Sequence, residues 1–470
     1  MSCDATPPAA PMPTHPAPDS IGRRAAPQRA SRLLGGVALA ALAAGVVGGC
    51  ELRRVPDGAW RLRQLATGAS SSHTQSAVQG PRVYGLDGEA LARAKHRIES
   101  GDPRIQAAYD RLLREAGAAL LVPAASVMDK QRVPPSGDKH DYVSMGPYWW
   151  PNPAKPGGLP YVRRDGERNP EMRDDYDAPR LAATTGAVTT LGLAYYFTDD
   201  EKYARRAALL LRTWFLDPAT RMNPHLRYGQ GIPGVTQGRA AGIIETRGLV
   251  GVVDAIGMLE RSPSWTAADD RGMAQWFSAY LGWLRSSAIG KGERNAHNNH
   301  GTWYDAQVAA LALFTGDSGL ARSTLATAGT RRIASQVTAD GRQPYELART
   351  RSLAYSVMNL EGLCRLAELA RHVGVDLWSY RSPRGGSIRR ALDYLAPYAD
   401  PRRKWPGRQI TPTEPDLLVL PLEQARLAYG DARYGALLRQ IPDDAVRSHR
   451  AQLLYPEPDS VPPPSARTGL

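Results

Sequence analysis

AYYFTDDEKYARRAALLL, residues 194–211, reads as the end of one helix, a tight turn and the start of the next. The turn supplies a C-cap, and its aspartate supplies the N-cap of the helix that follows. The same grammar returns in ALFTGDSGLARSTLATA (312–328) and ARLAYGDARYGALLRQI (425–441). A short turn forces its two helices to be antiparallel neighbours. Several such hairpins in one chain predict an all-α fold, an incomplete (α/α) toroid of antiparallel helix hairpins. A regular α-solenoid is the competing architecture. It would keep its repeats uniform, whereas here long aromatic and charged insertions interrupt the pattern at 122–177 and 217–239. Inserted loops at one end of a barrel are where sites are built.

Working outward, apolar residues recur at three- and four-residue spacing over 91–98, 105–121, 181–197, 203–215, 243–259, 273–283, 308–314, 320–333, 353–373 and 388–394. Alternation of period two is scarce. The folded domain is expected over 86–450, followed by a Pro-rich tail at 451–470. Upstream, residues 1–32 are Pro/Ala-rich and carry Arg23, Arg24, Arg29 and Arg32, and 33–49 is an apolar small-residue run without a charge. A basic flank, an apolar core and a small-residue end read as an export signal over 1–50. Cys50 at its end resembles a lipobox cysteine, so lipidation there is expected, with residues 51–85 as a Ser/Gly-rich tether. The chain would then be periplasmic and held to a membrane only through that N-terminal lipid anchor, or secreted. Of the three cysteines, Cys3 would leave with the signal and Cys364 would have no partner, which excludes a disulfide framework. Cys364 lies in a helical pattern and reads as a buried small apolar residue.

The net charge of +13 implies an acidic partner. No Lys/Arg-dense helix or nucleic-acid signature is present, so an anionic polysaccharide is expected and nucleic acid is not. The first insertion holds KHDYVSMGPYWWPNP (139–153), where Tyr148, Trp149 and Trp150 stand between prolines and suit stacking on sugar rings. PYVRRDGERNPE (160–171) follows, with Arg163 as a carboxylate fork. The second insertion, NPHLRYGQGIPGVTQGR (223–239), carries Gln230 and Arg239 as a second groove wall. NAHNNHGTWYD (295–305) places His297, Asn298, Asn299 and His300 directly before an apolar run, where helix amides favour an anion. His297, His300 and Asp305 could in principle bind a metal, but no further ligand is near in sequence. In QPYELARTRSLAYSVMNLEGL (343–363), Tyr355 lies four residues after Arg351 and four before Asn359, so the three share a face if the helix has begun.

The loops DYVSMGPYWWPNP and PYVRRDGERNPE, NNHGTW at 298–303 and QPYELARTRSLAYS at 343–356, in this order, resemble the alginate lyase family, that is polysaccharide lyase family 5 and its wider superfamily of uronate-polymer lyases. The resemblance implies a lyase domain on an (α/α) toroid and a metal-independent β-elimination with no cofactor. It puts the family's amide–histidine pair on Asn299 and His300, its arginine on Arg349 and its catalytic tyrosine on Tyr355, with Trp303 similar to the tryptophan after the histidine. Lys139, Tyr142, Tyr148, Trp149, Trp150, Arg163, Gln230, Arg239, Trp303 and Arg351 are expected to bind substrate. One departure stands out. The family's arginine and tyrosine are expected two helical turns apart, yet Arg349 and Tyr355 are six residues apart, on different faces of one straight helix. Either Arg349 precedes the helix or Arg351 takes its role. Two other function classes fit parts of the chain. An inverting glycoside hydrolase would need two facing carboxylates from Asp141, Asp165, Asp305 and Glu346. A non-catalytic glycan-binding lipoprotein would need only the aromatics and arginines.

Overall fold

The computed structural model describes residues 80–173 and 175–458. The export signal, Cys50 and residues 51–79 of the tether lie outside the described residues. Packing reaches past both expected ends of the domain. The N–H groups of Tyr84 and Gly85 donate to buried Asp254, Val83 is buried, and so is Tyr455.

The helices, in chain order, are α1 (Gly88–Glu99), α2 (Pro103–Leu120), α3 (Asp177–Thr198), α4 (Glu201–Leu211), α5 (Leu249–Leu259), α6 (Ala267–Ser286), α7 (Ala288–Arg294), α8 (Asn299–Phe314) and α9 (Ser318–Ala328). They continue with α10 (Ala334–Gln336), α11 (Pro344–Leu347), α12 (Ser352–Arg371), α13 (Ile388–Leu395), α14 (Val419–Tyr429), α15 (Ala432–Leu438), α16 (Asp443–Arg447) and α17 (Ala451–Leu454).

The three quoted hairpins form as read. Asp199 and Gly430 end α3 and α14 in the left-handed region at φ 55° and 59°, and Gly316 turns after α8 at φ 81°. In each case the next aspartate caps the following helix: Asp200 on α4, Asp317 on α9 and Asp431 on α15. Each hairpin pairs an inner helix with an outer one. On α4 the buried residues form one stripe, whereas α5 and α8 are buried almost all round. A helix apolar on every side must sit between neighbours. Accordingly α3 packs on α5, α5 on α8, α8 on α12 and α12 on α14, and α2, α4, α6, α9, α13 and α15 cover them from outside. This is the incomplete toroid. Cys364 lies buried on inner helix α12.

Several expected helices change at their edges. The run 243–259 is broken: a 3-10 segment, Ala240–Thr246, precedes α5. The run 308–314 is only the end of α8, which starts at Asn299. Both inserted loops carry short strands that are too brief for a periodic signal. β1 (Val143–Met145) pairs in parallel with β4 (Tyr228–Gly231), and β2 (Trp149–Trp150) pairs antiparallel with β3 (Val162–Arg163). The β1–β4 pairing joins the two insertions. A buried ion pair roots them on the barrel: Lys130 Nζ lies 3.1 Å from Asp177 Oδ2 at the start of α3, both side chains fully enclosed. The Val143 N–H donates to the same oxygen at 2.8 Å.

Candidate active site

Two polar clusters meet where α8, α11 and α12 begin. In the first, Asn298 caps α8 by accepting the His300 N–H at 3.2 Å. Asn299 then opens the helix, buried, and donates to Glu346 of α11 three times: backbone N–H to Oε1 at 2.7 Å, and Nδ2 to Oε1 and Oε2 at 2.9 Å each. Burial raises the Glu346 carboxyl above its usual range, opposed by these bonds and by the charges of Arg349 and His300. Asn299 Oδ1 is buried and has no hydrogen-bond partner, a state that buried amides rarely keep unless something else engages them. His300 turns its Nδ1 onto Glu293 Oε1, 2.6 Å away.

The second cluster answers the six-residue spacing. α12 starts at Ser352, so Arg349 lies in the link that joins α11 to α12, and Tyr355 sits in the first turn. The link folds Arg349 back so that its guanidinium carbon lies 3.9 Å from the Tyr355 ring centre and 6.0 Å from that of Tyr148. Asp165, brought in by the first insertion, holds Arg349 through Nη2 at 2.8 Å and Nε at 3.1 Å, and accepts the Thr350 N–H at 3.0 Å. Burial alone would raise the Asp165 carboxyl, but the Arg349 and Thr350 bonds hold it well below the usual carboxylate range. The Tyr355 and Tyr148 hydroxyls hydrogen-bond to each other. Burial and the Tyr148 neighbour push the Tyr355 hydroxyl far above the ordinary tyrosine value, with Arg349 opposing. Tyr355 therefore carries its proton at neutral pH and can give it up only where a cation waits beside the resulting phenolate. Arg349 is that cation.

The β2–β3 ribbon forms one wall. Trp149 pairs with Arg163 and Trp150 with Val162. Arg164 lies 5.1 Å over the Trp150 ring, and Arg163 donates to Asp165 at 2.6 Å. Behind the ribbon, Arg239 Nη2 donates to Gln230 Oε1 at 2.5 Å. Glu245 accepts from Tyr142 at 2.9 Å and Ser144 at 2.5 Å, and burial raises its carboxyl to about 7.

Several residues expected on the substrate also have partners within the protein. Tyr142 is fully buried and braces Glu245. Gln230 is buried and orients Arg239. Lys139 contributes its carbonyl, which accepts from Lys130 Nζ at 2.7 Å. Trp303 donates to the Met358 carbonyl at 3.1 Å and packs at Gly362, so its indole fills the α8–α12 contact. Arg351 caps α12, bridges to Gln409 and gives its carbonyl to the Tyr355 N–H, which leaves Arg349 as the arginine on the tyrosine. Asn359, one turn beyond Tyr355, faces inward to Gln336 and Gln343. The residues of the metal reading diverge: His297 stacks on Tyr345, His300 meets Glu293, and Asp305 pairs with buried Arg332. The hydrolase carboxylates are likewise each engaged, with Asp141 held by Ser136 and Asn223. Glu293 and Glu245 escaped the sequence reading, because neither sits in a pattern that announces a partner. Asp165 and Glu346 were noticed as carboxylates, but their partners Arg349 and Asn299 lie 184 and 47 residues away.

The alginate lyase family profile matches residues 126–405. The structure resembles that of an alginate lyase from Bacteroides ovatus, with 41% identity, a TM-score of 0.76, and coverage of 80% of this chain and 99% of that one. It shares its fold with alginate lyase A1-III from Sphingomonas species A1, at 19% identity and TM-score 0.52 over 83% of this chain and 100% of that one. A variant of A1-III complexed with a tetrasaccharide superposes with TM-score 0.54 at 19% identity, covering 82% of this chain and 98% of that one. No curated protein matches the sequence.

Proposed function

The chain belongs to the alginate lyase family and is a polysaccharide lyase acting on alginate, and from that premise we propose that it cuts the polymer by a metal-independent β-elimination run by Asn299, His300, Arg349 and Tyr355. The observation that carries this reading is the stack of Arg349 on Tyr355, with Tyr148 on the same hydroxyl and Asn299 joined to the cluster through Glu346. Elimination first needs the uronate carboxyl to lose its negative-charge penalty, so that the neighbouring C5 proton becomes acidic. Asn299, once its Nδ2 turns from Glu346, binds that carboxyl together with Arg349 or protonated His300 at the N-terminus of α8, where the helix amides add a positive field. Tyr355, held protonated, gives its proton to the leaving glycosidic oxygen. Arg349 stabilises the phenolate left behind. Where the C5 proton lies on the face of the leaving oxygen, Tyr355 takes it in the same step in which it gives up its own; where it lies opposite, His300 takes it. Trp149, Trp150 and Arg163 line the sugar path, the aromatics by stacking and the arginine on a carboxylate. The N-terminal signal supports export to the periplasm with a lipid on Cys50, which mass analysis of the mature N-terminus tests.

The decisive experiment follows ultraviolet absorbance of the new 4,5-double bond on alginate. Wild type forms the absorbing product with or without a chelator. Tyr355→Phe loses at least about a hundredfold in kcat, the usual weight of a positioned proton donor. Near wild-type elimination by that variant would remove Tyr355 from its role.

A further inference from the structure

Glu293 has no part in the steps above. It lies in the last turn of α7, which doubles back against α6 because Gly290 has no side chain: a Cβ there would sit 1.8 Å from the Leu284 carbonyl oxygen. The fold-back drives Glu293 beneath the start of α8. Its side chain is 3% exposed, that of His300 is 20% exposed, and Nδ1 and Oε1 are 2.6 Å apart. A buried carboxylate lies on one side of the imidazole, which itself stays partly exposed. Other charged or titratable groups that face the pair are Glu346 on α11, Arg239 ahead of the 3-10 segment and Tyr280 on α6. The Arg332–Asp305 ion pair packs under Gly301.

A carboxylate only accepts, so the bridging hydrogen sits on Nδ1 and the Nε2 lone pair is left free. A buried carboxylate that fixes one imidazole tautomer also stabilises the imidazolium formed when the other nitrogen takes a proton. We propose that Glu293 is the positioning residue that makes His300 a proton acceptor in this cleft. The inference rests on the lyase reading above. On a uronate whose C5 hydrogen lies opposite the leaving oxygen, the C5–H bond breaks and Nε2 takes the proton. The electron pair forms the C4–C5 double bond, the C4–O bond breaks, and the oxygen takes the Tyr355 proton. Glu293 holds the imidazolium until water removes its proton, and water reprotonates Tyr355.

The test uses the full chain with nitrogen-15-labelled histidine rings, first without substrate. His300→Gln identifies the relevant resonance. Between wild type and Glu293→Gln, the titration of that ring should move to lower pH by about one pH unit or more, because the neutral amide no longer stabilises the imidazolium. With alginate, kcat should fall about a hundredfold while KM stays within about threefold. The acid limb of the kcat profile should move in the same direction, and Glu293→Asp should fall between the two. An unmoved titration, or a lower kcat with an unmoved acid limb, would make Glu293 a structural brace and overturn the inference. Should the glutamine variant fail to fold, Glu293→Asp carries both readouts. If wild type makes no unsaturated product, the lyase reading fails, and the ring titration still decides the pairing.

Discussion

Replacing Asp165 with asparagine keeps the side chain's size and removes its charge, so it isolates what holds Arg349 on Tyr355. Asp165 accepts from Arg349 at 2.8 and 3.1 Å, from the Thr350 N–H at 3.0 Å and from Arg163 at 2.6 Å. Its side chain is 20% exposed and that of Arg349 is 14% exposed. That places the pair between an exposed bridge, worth about 0–1 kcal/mol, and a buried one, whose breaking costs about 3–5 kcal/mol. About 2 kcal/mol is the expected loss. With about 380 described residues at roughly 2.1 cal/mol/K each, this lowers Tm by about 2–3 °C. Catalysis should suffer more. Arg349 sits 3.9 Å from the Tyr355 ring centre, and an enclosed cation over an aromatic face contributes about 2 kcal/mol. If the guanidinium swings away, kcat falls about thirtyfold while KM changes little. The assay is initial-rate ultraviolet absorbance on alginate beside a thermal melt. The Asp165 carboxyl is held below its unfolded range. Its stabilisation is therefore complete above the unfolded carboxylate pKa of about 3.9 and is lost as pH falls through and below it. The stability gap between wild type and variant should close in acid. A kcat within twofold of wild type, with the Tm loss present, would show that Asp165 braces the loop and does not act through Arg349.

Glu346→Gln should lower kcat/KM about tenfold, because Asn299 loses one of its charge-assisted acceptors; an unchanged value would mean that Asn299 is held by the helix alone. Lys130→Met leaves Asp177 buried without its cation and should cost about 3–5 kcal/mol, read as a lower Tm and as faster proteolysis within 122–143. Equal protease resistance would contradict the anchoring role. The Glu245 carboxyl is raised to about 7. A raised acid contributes stability that is present below its unfolded value near 4.5 and is lost as pH rises to about 7. Melting of Glu245→Gln across pH 5–8 should be flatter than wild type, and parallel curves would refute the assignment. Trp150→Ala should raise KM several-fold with kcat nearly unchanged, since a stacking plane binds ground and transition states alike.

Much of this molecule was open to reading from the chain alone, for reasons of range. The turns at 199–200, 316–317 and 430–431 declare themselves within four residues, because an αL residue followed by an aspartate cap is a local solution to unsatisfied helix ends. A run of such hairpins leaves few ways to bury the inner helices. Asn299, His300, Arg349 and Tyr355 stand out as candidates in the sequence because they sit in short, unusual segments. Tyr142 and Gln230 were expected on the substrate but are buried, because a loop aromatic or amide looks the same in sequence whether it faces a sugar or a buried neighbour. What tertiary structure alone decided is the pairing: Asp165 with Arg349, Tyr148 with Tyr355, Glu293 with His300. These pairs join loops and helix ends that the ring brings together, 184, 207 and 7 residues apart. Charge and hydrogen bonding act over a few ångströms of space. Helical periodicity acts along the chain, and so it could specify the scaffold but not which side chains would meet on it.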